Sequence, residues 1–161
     1  SGLENMKKPV LLALSCLLFF ILTARNITGR VTAIKDGDTI ELLRDRTTYR
    51  IRLEGIDCPE KKQPYGNRAK QFVSDLCFGK TVTARISSQD RYGRYLAFII
   101  LPDGRNLNHE LLRNGLAWHY KQYSKDRNLA SLETQARQQR IGLWNDRNPT
   151  PPWEYRRRKR K

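Results

Sequence analysis

Apolar and polar positions alternate along the first half of the chain. Val31, Ala33 and an apolar Ile34 lead into the turn Asp36-Gly37-Asp38-Thr39, and Ile40, Leu42 and Leu43 leave it. After a second turn at Asp45-Arg46, Ile51 and Leu53 alternate with Arg50, Arg52 and Glu54. A period of two marks a half-buried strand with one polar face, so two antiparallel strands precede a central one. Gly55 interrupts the alternation and permits a bulge or sharp bend, which returns Asp57 to the side that Arg52 faces. Pro59 pins the next turn.

The period then changes. Pro64 followed by Asn67 to Phe78 reads as a helix with Phe72, Val73, Leu76 and Cys77 inward, and Gly79 stops it. Thr81, Val82 and Ile86 form a strand and Tyr95 to Leu101 another, joined through the Asp90 to Arg94 loop and closed by Pro102-Asp103-Gly104. Asn106 or Asn108 caps a helix carrying Leu107, Leu111 and Leu112 up to Gly115. Leu129, Leu132, Ala136 and Ile141 space a longer helix that runs to Gly142-Leu143-Trp144. The expected fold is α+β, mainly β: a small five-stranded barrel, closed or partly open, with three packed helices. Asn148 to Trp153, with three prolines, reads as a linker, and Arg156 to Lys161 is six consecutive basic residues. Such a run is normally disordered, so residues 148–161 are expected to be a linker and basic tail.

Composition adds a partner. Among 161 residues, 31 Lys plus Arg face 16 Asp plus Glu, a formal net charge of +15. This excess favours a polyanion, nucleic acid or an anionic membrane, without choosing between them. The N-terminal segment adds a compartment. Residues 1–5 precede Met6 and read as left by an expression vector, because Met6-Lys7-Lys8 and the apolar run Val10 to Ala24 have the form of an export signal. That run is short for a bilayer core of roughly 20 residues, so residues 6–24 read as a signal peptide of a secreted or periplasmic protein, with a retained membrane anchor as the alternative. A lipoprotein site at Cys16 fits poorly. Without this segment, Cys58 and Cys77 remain, either bridged or as two buried thiols; bridging requires Cα atoms within about 7 Å.

The polar residues left over by the strands concentrate candidate chemistry. Asp38 and Asp57 come from neighbouring strand ends, and Arg52 and Glu60 bracket the second of them. Paired carboxylates completed by a main-chain carbonyl and waters suit Ca²⁺ rather than Zn²⁺, and neither cysteine has a partner at zinc spacing. Taken alone, Asp-Gly is a common hairpin turn. Three segments in order change its weight: DGDT (36–39), R-x4-D-x-P-E (Arg52, Asp57, Pro59, Glu60) and DRYGR (90–94). Together they resemble the staphylococcal (micrococcal) nuclease family, or thermonucleases, over about Gly29 to Trp144.

The resemblance implies an oligonucleotide-binding-type barrel in residues 25–147 and a Ca²⁺-dependent endonuclease. Such an enzyme cuts DNA and RNA, preferring single-stranded or frayed substrate, with little sequence specificity and leaves 3′-phosphate ends. It assigns Ca²⁺ to the side chains of Asp38 and Asp57 and to the backbone oxygen of Cys58, where the family's best-known member carries threonine. It further assigns Arg52 and Arg94 to the phosphate, where losing either mostly lowers turnover, and Glu60 to a general-base or water-orienting role. Arg91, Lys61, Tyr92, Tyr120 and Tyr123 are candidate substrate contacts, the tyrosines by stacking on bases or touching phosphate. Asp90 reads as a loop-orienting partner, His109 and His119 as surface or helix residues, and Trp118 and Trp144 as core anchors. No protein partner is evident. Two other readings stay open: a barrel that binds nucleic acid but has lost catalysis, and a nuclease tethered to a membrane through residues 10–24.

Overall fold

The alternating segments form strands and the apolar stripes form helices. A computed structural model describes residues 25–161. Among them are strands β1 (Arg25–Asp36), β2 (Thr39–Arg44), β3 (Thr47–Leu53), β4 (Ile56–Asp57), β5 (Thr81–Gln89), β6 (Tyr95–Ile100) and β7 (Trp118–His119). The helices are α1 (Gly66–Cys77), α2 (Leu107–Arg113), α3 (Arg127–Gln139) and α4 (Pro152–Lys159), with a 3₁₀ turn at Gly142–Asn145. None of these helices is long and apolar enough to cross a membrane. The apolar run 10–24, with its export or anchor reading, lies outside the described residues.

Five strands close a barrel in the order β1-β2-β3-β6-β5. Long β1 serves two antiparallel neighbours, β2 and β5, and register shifts after Val31 and Ile34 let it bend between them. The barrel closes where β3 and β6 run parallel, with Ile51 opposite Tyr95 and Arg52 opposite Leu96. Inward positions fill the interior: Ile27, Val31, Ile40, Leu42, Ile51, Leu53, Ala84, Ala97 and Ile99 are all buried. Each large aliphatic side chain so removed from water contributes about 1.5–3 kcal/mol.

Helix α1 buries Ala69, Val73 and Cys77 against this core, with Phe72 and Leu76 partly covered. Helix α2 contributes Leu107, Leu111 and Leu112, and α3 contributes Leu129 and Leu132. Asn106 is the residue that caps α2, accepting the His109 N–H at 3.2 Å. Asn108 is instead a buried strut. Its side chain accepts from Ile99 N (3.2 Å) and donates to Glu54 O (2.9 Å) and Ala97 O (3.2 Å), pinning the helix to the β3 and β6 ends. A smaller cluster, Trp118, Ala136, Leu143 and Trp144, lies beyond α3, with Trp153 packed on it. Trp118 and Trp144 meet edge to face at 4.6 Å, as core anchors. Cys58 and Cys77 are both buried free thiols, so the bridge between them is not made.

The C-terminal run departs from expectation. Instead of a disordered tail, residues from Pro152 to Lys159 form α4, a fourth helix beside the expected three. Pro152 opens it with φ already set for a helix, and Glu154 pairs with Arg158 at 3.7 Å one turn on. Trp153 then seats the helix, packing edge-on to Trp118 at 5.5 Å and stacking on Tyr120 at 5.4 Å. The proline-containing stretch before it is also fastened, since the buried Gln63 side chain donates to Thr150 O at 3.0 Å.

Candidate active site

The strand pairing that places Thr39 opposite Arg52 also sets the preceding turn against the end of β3, where Asp38 O accepts Leu53 N–H at 2.8 Å. Gly55, at φ 76°, then turns the chain; a Cβ there would lie 2.4 Å from Leu129 Cδ1, so the bend requires glycine. Beyond the bend, β4 pairs with β7, Asp57 opposite Trp118. Asp57 thereby returns to the side of Arg52.

Arg52 is the hub of the arrangement. Its side chain is 12% exposed, and one terminal nitrogen, Nη1, donates to Leu53 O (2.7 Å) and Ile56 O (2.9 Å). The other, Nη2, lies 3.5 Å from Asp38 Oδ2 and 3.4 Å from Asp57 Oδ1. Asp38 is further held by Cys58 N–H at 2.8 Å and the Thr39 hydroxyl at 3.2 Å. Burial works against the charge of Arg52, but Asp38 and Asp57 outweigh it and hold the guanidinium above its ordinary pKa. The Asp57 carboxyl is pushed up to about 6, first by burial, against the hydrogen bond from Arg156, and then by the neighbouring charge of Asp38. Asp36, the first residue of the turn, is raised as well, by burial and by Asp38 and Glu60.

Glu60 sits on a loop that closes on itself. Its N–H donates to Gln63 Oε1 (2.9 Å), its carbonyl accepts Gln63 N–H (2.8 Å), and a Cβ at Gly66 would collide with that carbonyl at 2.0 Å. Arg156 reaches this centre from α4. Its Nη1 donates to Asp57 Oδ1 (3.1 Å) and Glu60 Oε1 (2.8 Å), and its Nη2 to Asp57 Oδ2 (2.7 Å) and Tyr120 Oη (3.4 Å). Burial disfavours the Arg156 charge, yet these bonds to Asp57 and Glu60 raise its pKa.

The remaining candidates lie around this cluster. Arg94 is held by Asp90, which accepts from Arg94 N (3.0 Å), Arg94 Nε (2.8 Å) and Tyr92 N (2.9 Å), so Asp90 does orient its loop. Among the described residues, no hydrogen bond or ion pair joins Arg94 to Asp38, Asp57 or Glu60; its Nη1 and Nη2 make no hydrogen bond. Arg50 fastens the same loop by donating to Tyr92 O. Arg91 stands over the ring of exposed Tyr92 at 4.9 Å, and Lys61 is exposed. Tyr120 is gathered to the centre through Arg156 and leans on Tyr123, ring to ring at 4.8 Å. Neither histidine joins the cluster. His119 Nε2 meets Ser124 Oγ at 3.0 Å and its backbone N–H donates to buried Glu133 at 2.6 Å, while His109 packs edge-on to Phe98. Burial lowers the pKa of both.

Among the described residues, no group of three or more His, Cys, Asp or Glu side chains is arranged to hold a metal ion alone. The donor set still fits a hard cation. Asp38 and Asp57 share one guanidinium, and a second guanidinium already lies across both oxygens of Asp57. Two carboxylates completed by a backbone oxygen and water would make the hard-oxygen donor set that suits Ca²⁺.

The profile of the family described as staphylococcal nuclease homologue matches residues 50–146. The chain is 47% identical over 154 residues to an uncharacterized endonuclease of Escherichia coli, covering 96% of this chain and all of that one. It is 41% identical over 142 residues to a micrococcal nuclease of Shigella flexneri, covering 82% of each. A staphylococcal-like nuclease of Arabidopsis thaliana is 45% identical over 112 residues, 70% of this chain and 34% of the plant protein. Barrel, carboxylate centre and sequence similarity agree: the chain belongs to the staphylococcal nuclease family of phosphodiester-hydrolysing enzymes.

Proposed function

We propose that this protein is a Ca²⁺-dependent endonuclease that cleaves DNA and RNA with little sequence specificity and leaves 3′-phosphate ends. The observation that carries the reading is the convergence of Asp38 and Asp57 on Arg52 with Glu60 alongside. A phosphodiester resists water because its charge repels nucleophiles, and attack places more negative charge on its equatorial oxygens. Ca²⁺ held by Asp38, Asp57 and the Cys58 backbone oxygen would supply positive charge to those oxygens. Arg52, locked by two carbonyls, keeps the two carboxylates together against their mutual repulsion and adds its positive charge beside the phosphate. Arg94 offers its two terminal nitrogens to the phosphate, where charge-assisted bonds strengthen as the transition state forms.

Glu60 orients the attacking water or takes its proton. As the water oxygen bonds to phosphorus, the bond from phosphorus to the 5′ oxygen breaks. The 5′ oxygen leaves as a hydroxyl after gaining a proton from solvent water, any proton taken by Glu60 returns to solvent, and the phosphate stays on the 3′ side. Tyr92, Tyr120, Tyr123, Arg91 and Lys61 form the substrate rim, which suits single-stranded or frayed nucleic acid with bases free to stack.

The test is a labelled single-stranded oligonucleotide incubated with purified protein, with and without Ca²⁺, followed by end-group analysis. Cleavage is expected to stop in excess chelator, to return with Ca²⁺ and to yield 3′-phosphates. Undiminished cutting in chelator rejects the metal assignment, and 5′-phosphate products reject the bond assignment. On the strength of the export-like segment, we further propose a secreted or periplasmic location. The mass of the protein isolated from cells is expected to lack residues 6–24; a retained segment would favour the tethered form.

A further inference from the structure

We propose that Arg156 is a built-in stopper of the nuclease centre: α4 seats its guanidinium on Asp57 and Glu60, and Ca²⁺ must displace it to bind. The inference rests on the reading of Asp57 as a metal ligand and Glu60 as the residue that handles water. Arg156 engages both oxygens of Asp57, at 3.1 and 2.7 Å, and one oxygen of Glu60 at 2.8 Å. This fork sets a positive charge against the oxygens that a metal and a water would use, so the guanidinium and the metal compete for them.

The geometry of α4 suits a removable part. It has eight residues, and an isolated helix shorter than about 12–15 residues is marginal in water, so its order depends on its docking. That docking uses Trp153 against Trp118 and Tyr120, the Gln63 bond to Thr150, and Arg156 itself. Arg156 is also unlike its neighbours. Arg157, Arg158, Lys159, Arg160 and Lys161 are all exposed, whereas Arg156 alone of the six turns inward. Arg52 already compensates Asp38 and Asp57 from within the barrel, so Arg156 is a second, competing cation rather than the one that keeps the carboxylates together.

Calorimetric titration with Ca²⁺ of the full chain, Arg156→Gln, Trp153→Ala and Arg157→Gln tests this. Hydrogen exchange of residues 152–159, with and without Ca²⁺, provides a second readout. Arg156→Gln is expected to bind Ca²⁺ roughly tenfold more tightly, the gain expected if the open state makes up about a tenth of the wild-type population. Trp153→Ala, which loosens α4 without touching a carboxylate, is expected to tighten binding in the same direction. Arg157→Gln, a loss of equal charge on the exposed side, is expected to stay within about twofold. In the unaltered chain, Ca²⁺ is expected to speed exchange in α4. Wild-type binding with no gain in Arg156→Gln overturns the stopper while leaving the metal site standing. An Arg156→Gln protein with unchanged Ca²⁺ affinity and reduced turnover makes Arg156 a substrate contact and also overturns it. If no form of the protein binds Ca²⁺, the metal reading itself fails and the stopper falls with it.

Discussion

Replacing Arg52 with alanine is expected to lower cleavage on the order of 10³-fold and to destabilise the fold by about 3–5 kcal/mol. The second effect follows from burial. The guanidinium is nearly covered, satisfies the carbonyls of Leu53 and Ile56, and lies between two acidic side chains that are 10% and 1% exposed. Alanine leaves those carbonyls without donors and sets Asp38 and Asp57 against each other. Thermal unfolding should therefore fall on the order of 10 °C. Arg52→Lys keeps the charge but lacks the planar fork that reaches carbonyls and carboxylates together, so an intermediate loss is expected in both measurements. An alanine variant of unchanged stability would show that Arg52 is not the structural hub described above. The expectation from sequence, that losing Arg52 mostly lowers turnover, leaves out the carbonyl contacts.

Arg94→Ala is expected to behave differently, with kcat falling about 10²–10³-fold and stability changing by less than about 1 kcal/mol. Its one ion pair, to Asp90, is partly exposed, and its terminal nitrogens have no bonds to lose. KM should change little, because the contact is strongest in the transition state. Single-turnover rates and denaturant unfolding of the same preparation check both halves. A near-normal rate would remove Arg94 from the reacting phosphate and leave it as the anchor of its own loop.

Arg52 and Arg156 mark what sequence reveals and what it conceals. Asp38, Arg52, Asp57 and Glu60 are close in the chain, Arg52 and Asp57 on strands β3 and β4 and the other two on the adjoining turn and loop, so their grouping is legible once Gly55 is taken as a bend. The barrel follows from the number of strands with one helix inserted among them. Arg156 was not legible. It lies 96 positions from Glu60, inside a run that ordinarily stays in solvent, and only tertiary packing distinguishes it from the five basic residues that follow. The two asparagines near the start of α2 are similar: both suit a cap, and only the position of Asn108 over the β3 and β6 ends makes it a strut instead. Gln63 gave no signal because a lone glutamine in a basic loop has no period. Its role depends on Thr150, distant in sequence.

The two-residue ribbon formed by β4 and β7 has a consequence during biosynthesis. Asp57 is braced by Trp118, which is translated sixty-one codons later. A ribosome that has produced the whole barrel has not yet released the strand that fixes this carboxylate. All five barrel strands are therefore made before the carboxylate centre can be completed.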